Sequence, residues 1–340
     1  MTSEPLSPDQ LAHRLESFRG SFERLTHEIR RAIVGYEELI DDCVVAIFSQ
    51  GHVLLEGVPG LGKTYLVRVL SRVLGLSFGR VQCTPDLMPA DILGTHIVGE
   101  DEHGHRVFRF EKGPVFKNLL LVDEINRTTP KTQAALLEVM QERSVTTGGD
   151  CFVLPEPFFV LATQNPLEME GTYPLLEAQL DRFFFKLRVP FPKLGELVEI
   201  SRRTSGFAEP DLQMVLDGAE VMQCQQLLAQ VSVADPLTRY AASLILATHP
   251  DTAEATPRVR RFIAYGASPR GLQSLIRAAR VHCVIAGRTA VSIDDIRRVA
   301  SPALRHRLIL NFEGEAESVD IDALIQEILD NVPTPAREAA

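Results

Sequence analysis

Tryptophan is absent from the 340 residues, and aromatic side chains make up only 6% of them. Proteins that hold single-stranded nucleic acid stack bases on aromatic rings, so that class is poorly supplied here. Positive charge is also short: Lys and Arg number 35 against 45 Asp and Glu, a formal net charge of -10. A surface that binds a phosphate backbone needs a basic face to release counterions. Five cysteines (Cys43, Cys83, Cys151, Cys224 and Cys283) are scattered, odd in number and without zinc-type spacing. They fit free thiols in a reducing compartment. No apolar run approaches the ~18 residues of a membrane-spanning helix. The first ten residues are polar and include Pro5 and Pro8, so no secretory signal is expected and a cytoplasmic location is.

What is present is ordinary globular material, 45% hydrophobic and 24% charged, long enough for about two domains. Leu11, Leu15, Phe18, Phe22 and Leu25 recur at helical spacing within 10–32, and a second helix is expected over 37–50. Five short apolar runs then read as strands: 53–55, 78–83, 119–122, 158–163 and 183–189. Helical patterns separate several of them, which predicts an α/β fold with a parallel five-stranded sheet covered on both faces. Two hairpins are predicted beside it. Ile97-Val98 and Val107 to Phe110 flank a turn-rich tip from Gly99 to His105. Ser144 to Thr147 and Cys151 to Leu154 flank Gly148-Gly149-Asp150. After Pro190-Phe191-Pro192 only helical patterns follow, with starts at Ser268-Pro269 and at Ser292. The expected division is an N-terminal helix (1–30), an α/β core (31–193), a smaller all-α domain (194–332) and a frayed tail (333–340).

Residues 57–64, Gly57-Val58-Pro59-Gly60-Leu61-Gly62-Lys63-Thr64, form a complete phosphate-cradling loop, with Tyr65 continuing into the helix. An apolar strand precedes it and helical periodicity follows, so backbone N–H groups and a helix N-terminus would face a triphosphate. Lys63 would reach the β- and γ-phosphates, and the Thr64 hydroxyl would hold Mg²⁺. Leu119 to Val122 ends in Asp123-Glu124. In a parallel sheet that end lies at the same edge as the loop. Asp123 can then accept from Mg²⁺-bound water, and Glu124 can polarise a water for in-line attack on the γ-phosphate. Asn165 follows the next strand, where its amide could orient that water.

The chain resembles an AAA+ ATPase, a phosphate-loop NTPase, and within that class the MoxR family. The resemblance rests on "GHVLLEGVPGLGKT" (51–64), "GRVQCTPDLMPADILG" (79–94), "FEKGPVF" (110–116), "LLLVDEINRTTPKTQAALLEVMQER" (119–143), "FFVLATQNPLEMEGTYPLLEAQLDRFFF" (158–185) and "GASPRG" (266–271). It implies an AAA+ core followed by a helical lid, with ATP and Mg²⁺ bound. Asp123 would be the magnesium-linked acid, Glu124 the catalytic glutamate and Asn165 the first sensor. Arg182 would be an arginine finger offered to a neighbouring subunit; the residues alone also allow a salt bridge to Asp181 or Glu177. Arg270 would be a second sensor reaching the γ-phosphate of its own subunit. Ile33, Val34 and Gly35 would lie against adenine, and Arg127 would be a weaker candidate for an interface contact. Cys83 stands where the family usually has Phe. His52 and His306 match family positions and read as structural or interface residues.

The resemblance further implies a ring, expected to be a hexamer, that remodels, assembles or activates a protein complex. It also implies a partner with a von Willebrand factor type A domain. A magnesium-chelatase-type motor subunit and a nucleic-acid-acting AAA+ motor are the alternatives. The acidic or neutral hairpin tips disfavour the second of these.

Overall fold

The computed structural model describes residues 7–100, 105–166, 171–205 and 210–335. Residues 101–104 of the first hairpin tip and 336–340 of the tail therefore lie outside the described residues. The strands are β1 (Val53–Glu56), β2 (Phe78–Gln82), β3 (Gly94–Glu100), β4 (Arg106–Lys112), β5 (Leu119–Asp123), β6 (Ser144–Thr147), β7 (Asp150–Val153), β8 (Phe159–Gln164), β9 (Phe185–Arg188), β10 (Ile263–Tyr265) and β11 (Ile309–Leu310).

The main sheet has the order β2-β5-β8-β1-β9, and every pairing in it is parallel. Its residues sort by parity, as a period of two requires. Val53, Leu55, Leu119, Leu121, Phe159 and Leu161 join one buried cluster. Leu54, Leu120, Val122, Val160 and Ala162 join another. Both faces are covered, so these strands read as unbroken apolar runs. The hairpins β3–β4 and β6–β7 are antiparallel additions. Phe110 of the first stacks on Phe152 of the second, 4.3 Å between ring centroids.

The first helix, Pro8–Ala32, is set by Ser7, which forms a capping box with Gln10 and is followed by Pro8. Its buried stripe of Leu15, Phe18, Phe22, Leu25 and Ile29 belongs to the larger cluster, and it packs on the helices Lys63–Val73, Gly218–Leu228 and Pro269–Ile285. The helix Glu37–Phe48 follows after Gly35 and Tyr36, both in the left-handed region.

Beyond β9 the chain is helical, as the sequence pattern suggests: Leu194–Ser205, Gly218–Leu228, Asp235–Ala247, Pro257–Phe262, Pro269–Ile285, Ile293–Leu304, Phe312–Ala316 and Ile321–Asn331. The sequence pattern did not reveal one addition to this lid. Strands β10 and β11 form a short antiparallel pair, Ile263 opposite Leu310. Runs of three and two residues carry no readable period, so only the tertiary pairing makes them strands. Ser268 caps its helix by accepting from the Arg270 N–H.

His52 shows how the sheet is tied to its helical cover. Its Nε2 donates to the Met140 carbonyl at 3.0 Å, and its Nδ1 accepts the Val160 N–H at 3.0 Å. The ring is neutral, because burial lowers its pKa from 6.5 to about 4. The folded state thus holds less proton than the unfolded state between these values. Stability is complete above pH 6.5 and falls as pH drops toward 4, by about 3 kcal/mol through this group. Urea unfolding at a series of pH values should show His52→Gln with a shallower acid loss than the wild type; identical slopes would exclude the assignment.

Candidate nucleotide site

The strand C-termini (Glu56, Gln82, Asp123, Gln164 and Arg188) share one edge of the sheet. The chain leaves β1 there into the loop 57–64. A Cβ on Gly57 would stand 2.9 Å from the Val189 side chain, so that position is closed to larger residues. Gly60 and Gly62 have φ of +83° and +77°, with open space where a Cβ would be. Glycine is needed there for backbone shape rather than room. The helix Lys63–Val73 begins with no side-chain cap, leaving first-turn N–H groups available to an anion.

Lys63 Nζ donates to the Gly57 carbonyl at 2.5 Å and to the Val58 carbonyl at 3.2 Å. Burial lowers its pKa, while the carboxylates of Asp123 and Glu124 act in the opposite direction. Those two acids are therefore close enough to act on the lysine of the loop.

The acid pair is held by groups that the sequence did not single out. Thr163, fully buried on β8, donates its hydroxyl to Asp123 Oδ1 at 2.6 Å and accepts the Glu124 N–H at 2.8 Å. Arg80 Nη2 on β2 pairs with Asp123 Oδ2 at 2.9 Å. Gln82 Nε2 donates to Glu124 Oε2 at 3.1 Å. Arg127 pairs with the same oxygen at 3.0 Å, an intrachain role beside its expected interface role. Glu124 itself is left-handed, φ 57° and ψ 53°, a conformation that costs a non-glycine residue roughly 1–3 kcal/mol. Asn165, buried, follows β8 at the same edge. Alternation along β2 offered the one usable signal, since Arg80 and Gln82 are polar neighbours on the same face of an edge strand.

Beside the loop lies an apolar cavity of about 490 Å³. Its lining includes Ile33 and Val34, Leu61 and Tyr65 beside the loop, and Val189 and Phe191 after β9. Its lining and its position suit a planar base next to a phosphate grip. Gly35 does not line it. At φ +70° it makes the turn that presents Val34, and a Cβ there would strike the Glu196 carboxyl at 2.7 Å.

The donor set also suits Mg²⁺. Thr64 and Asp123 offer one hydroxyl and one carboxylate. Among the described residues no group of three His, Cys, Asp or Glu could form an all-protein cage. Magnesium bound through few protein ligands, with water and phosphate completing the shell, is the ordinary case.

Arg182 and Arg270 lie elsewhere. Arg182 precedes β9, and β9 runs parallel to β1, so Arg182 stands at the opposite edge of the sheet. Arg270 shares a small cavity with it, together with Gly51 and His52 from the start of β1. Arg270 is 3.7 Å from Asp181 Oδ2 and donates to Gln141 Oε1 at 3.4 Å. Four residues of β1 separate the two edges by ~13 Å. The expectation that Arg270 reaches the γ-phosphate of its own subunit is thus corrected: the lid docks its helix against the N-terminal edge. Among the described residues Arg182 makes no ion pair. The alternative of a bridge to Asp181 fails because Arg307 and Ser268 occupy that carboxylate.

Fold and site together define a nucleotide-binding core with a helical lid, and comparison with known proteins agrees. The ATPase family associated with various cellular activities (AAA) matches residues 52–185, and the AAA lid domain matches residues 255–328. A crystal structure from Cytophaga hutchinsonii, labelled an ATPase, superposes with a TM-score of 0.89 at 38% identity, covering 95% of this chain and 98% of that one. Chaperone MoxR1 of Mycobacterium tuberculosis is 42% identical over 93% of this chain and 82% of its own length. Protein MoxR of Methylorubrum extorquens is 33% identical over 94% and 97%. The chain belongs to the MoxR family of AAA ATPases. No described helix is long and apolar enough to cross a membrane.

Lys63→Ala removes the only side-chain cation held inside the loop. ATP affinity should fall at least tenfold, about 2 kcal/mol for lost charge-assisted hydrogen bonds. Titration with a fluorescent ATP analogue measures it, and unchanged affinity would refute the phosphate assignment.

Proposed function

We propose that this chain is an ATP-hydrolysing ring motor that remodels, assembles or activates a protein complex. In this reading residues 31–193 act as the core and 194–332 as the lid. The observation that carries the ring is the placement of Arg182 and Arg270 at the sheet edge opposite the phosphate loop. In one subunit these arginines have no phosphate to serve. A head-to-tail neighbour brings them to the γ-phosphate, and such contacts close into rings. Ring size follows the resemblance, which implies a hexamer.

The site performs hydrolysis as follows. The loop's N–H groups and Lys63 hold the β- and γ-phosphates, and the base enters the cavity beside Val34. Thr64 and Asp123 would hold Mg²⁺, which supplies charge neutralisation on the phosphates. Glu124, pre-placed by the Thr163 hydroxyl, accepts a proton from the attacking water, and Asn165 orients that water. Arg182 and Arg270 of the neighbour stabilise charge on the transferring phosphoryl group. A trans arginine contributes ~10³–10⁵ in rate, about 4–7 kcal/mol.

Support for a protein client comes from the hairpins β3–β4 and β6–β7, which carry exposed Val98, Phe108 and Val153. A partner with a von Willebrand factor type A domain rests on the family resemblance. A nucleic-acid motor is disfavoured by the net charge of -10.

Glu124→Gln should bind ATP and turn it over very slowly, and Arg182→Ala should lose ~10³-fold or more in kcat. Mixed together, the two inactive proteins should regain partial hydrolysis, because some interfaces then pair an intact Glu124 with an intact Arg182. A phosphate-release assay over mixing ratios reads this. A strictly additive result would overturn the trans assignment.

A further inference from the structure

Three consecutive residues beyond the lid helix Ile293–Leu304 grip the segment that carries Arg182. Arg305 donates to the Lys186 carbonyl at 3.2 Å, and His306 Nε2 donates to the Phe183 carbonyl at 2.9 Å. Arg307 does most. Its Nε donates to Asp181 Oδ1 at 2.8 Å. Its Nη2 donates to the Asp181 carbonyl at 3.1 Å and the Phe183 carbonyl at 2.7 Å. Its Nη1 donates to the Phe184 carbonyl at 3.3 Å and to the Ala303 carbonyl in the last turn of the helix Ile293–Leu304. Every N–H of the guanidinium is thus used. The carbonyls on both sides of Arg182 hang from one buried side chain of the lid.

Nothing in the subunit's own phosphate grip employs Arg307, since it lies at the far edge of the sheet. Yet the lid does touch the nucleotide cavity, through Leu197, Ile200 and Arg203 of the helix Leu194–Ser205. With 194–332 taken as the lid, one part of it lines the cavity beside its own subunit's phosphate loop and another part grips the loop meant for the neighbour's site. The Asp181 carboxylate completes the joint, because it also accepts Ser268 Oγ, the cap of the helix that carries Arg270.

We propose that Arg307 is a positioning residue that fixes the Arg182 loop to the lid. The lid, through Arg307, then sets where Arg182 stands in the next subunit's site. This rests on the trans reading of Arg182.

The test uses Arg307→Gln and Arg307→Lys in the full chain, with thermal melting to establish the folded fraction. Lysine keeps a charge opposite Asp181, but its single ammonium cannot span the carbonyls of Asp181, Phe183 and Phe184. Both variants should bind the fluorescent ATP analogue like the wild type. Both should lose about tenfold or more in kcat, the scale of a misplaced catalytic group. Mixing either with Glu124→Gln should raise hydrolysis above the sum of the parts, because the Arg307 variant's own site is intact and receives a correctly held finger. If Arg307→Gln does not fold, Arg307→Lys decides. Wild-type kcat in Arg307→Lys overturns the proposal. So does loss of activity without rescue under conditions where the Arg182→Ala mixture is rescued, for then Arg307 serves its own site or the fold. If Arg182→Ala itself is not rescued, the trans reading fails and takes the proposal with it, and that failure is visible without any Arg307 variant.

Discussion

All five strands of the main sheet run the same way, and that shared direction constrains everything else. Strand ends cannot be mixed in a parallel sheet. Whatever follows a strand lies at one edge, and whatever precedes a strand lies at the other. The phosphate loop follows β1, the acid pair ends β5, and Asn165 follows β8. Arg182 precedes β9. A molecule built this way gathers its phosphate loop, its acid pair and Asn165 on one side and presents Arg182 on the other. The two halves of the chemistry are separated by the length of a strand, and no loop motion short of rebuilding the sheet brings them together. The proposed ring answers that separation, since repetition of the subunit in one rotational sense would set one edge against the other at every interface.

The acid edge carries visible tension. Glu124 occupies a left-handed conformation without being glycine, and the cost is tolerated because Thr163 binds both acids with one hydroxyl. That hydroxyl donates to the Asp123 carboxylate while accepting the Glu124 N–H, so the Asp123 carboxylate and the Glu124 backbone keep a fixed relation. Gln82 and Arg127 then limit where the Glu124 carboxyl can swing. Fixed groups that need little rearrangement during reaction are the usual source of electrostatic catalysis. The strain and the hydrogen bonds belong to one device.

The features legible in sequence are those whose physics is local. The phosphate loop is a contiguous run whose glycines answer to backbone φ. The five strands are apolar runs between turn formers, and Asp123-Glu124 sits at the tip of one of them. Thr163 was hidden, because a threonine inside an apolar strand looks like a β-former until register places it beside Asp123. Arg80 and Gln82 were hidden for the same reason, one strand further out. Arg270 was located correctly at the start of a helix. The edge of the sheet it meets depends on how the lid docks, which no local pattern encodes. The pair β10–β11 is too short for any period to show. His306 reads in sequence as a structural or interface residue and Arg305 and Arg307 are not singled out, since nothing local shows that all three are buried or half-buried and bound to β9 and the segment before it.

Why should polar groups rather than more leucines join lid to core? Burying an ion pair seldom adds net stability, since desolvation offsets the attraction. Apolar contact, however, is non-directional, and a helical lid held only by leucines could settle in several neighbouring positions of similar energy. Here the joint is made of groups with direction. Glu56, the residue before the loop, pairs with Lys186 at 2.6 Å. Arg188 reaches Asp322 of the lid helix Ile321–Asn331 at 2.9 Å, and Arg305 meets the same acid at 3.0 Å. Arg307 closes on Asp181 at 2.8 Å. This line of charges runs from the phosphate edge to the arginine edge along β9, and the three pairs that cross to the lid, Arg188–Asp322, Arg305–Asp322 and Arg307–Asp181, give its position a direction. Its cost in desolvation is repaid in register: a lid held in one place fixes the segment from Asp181 to Phe184 that carries Arg182.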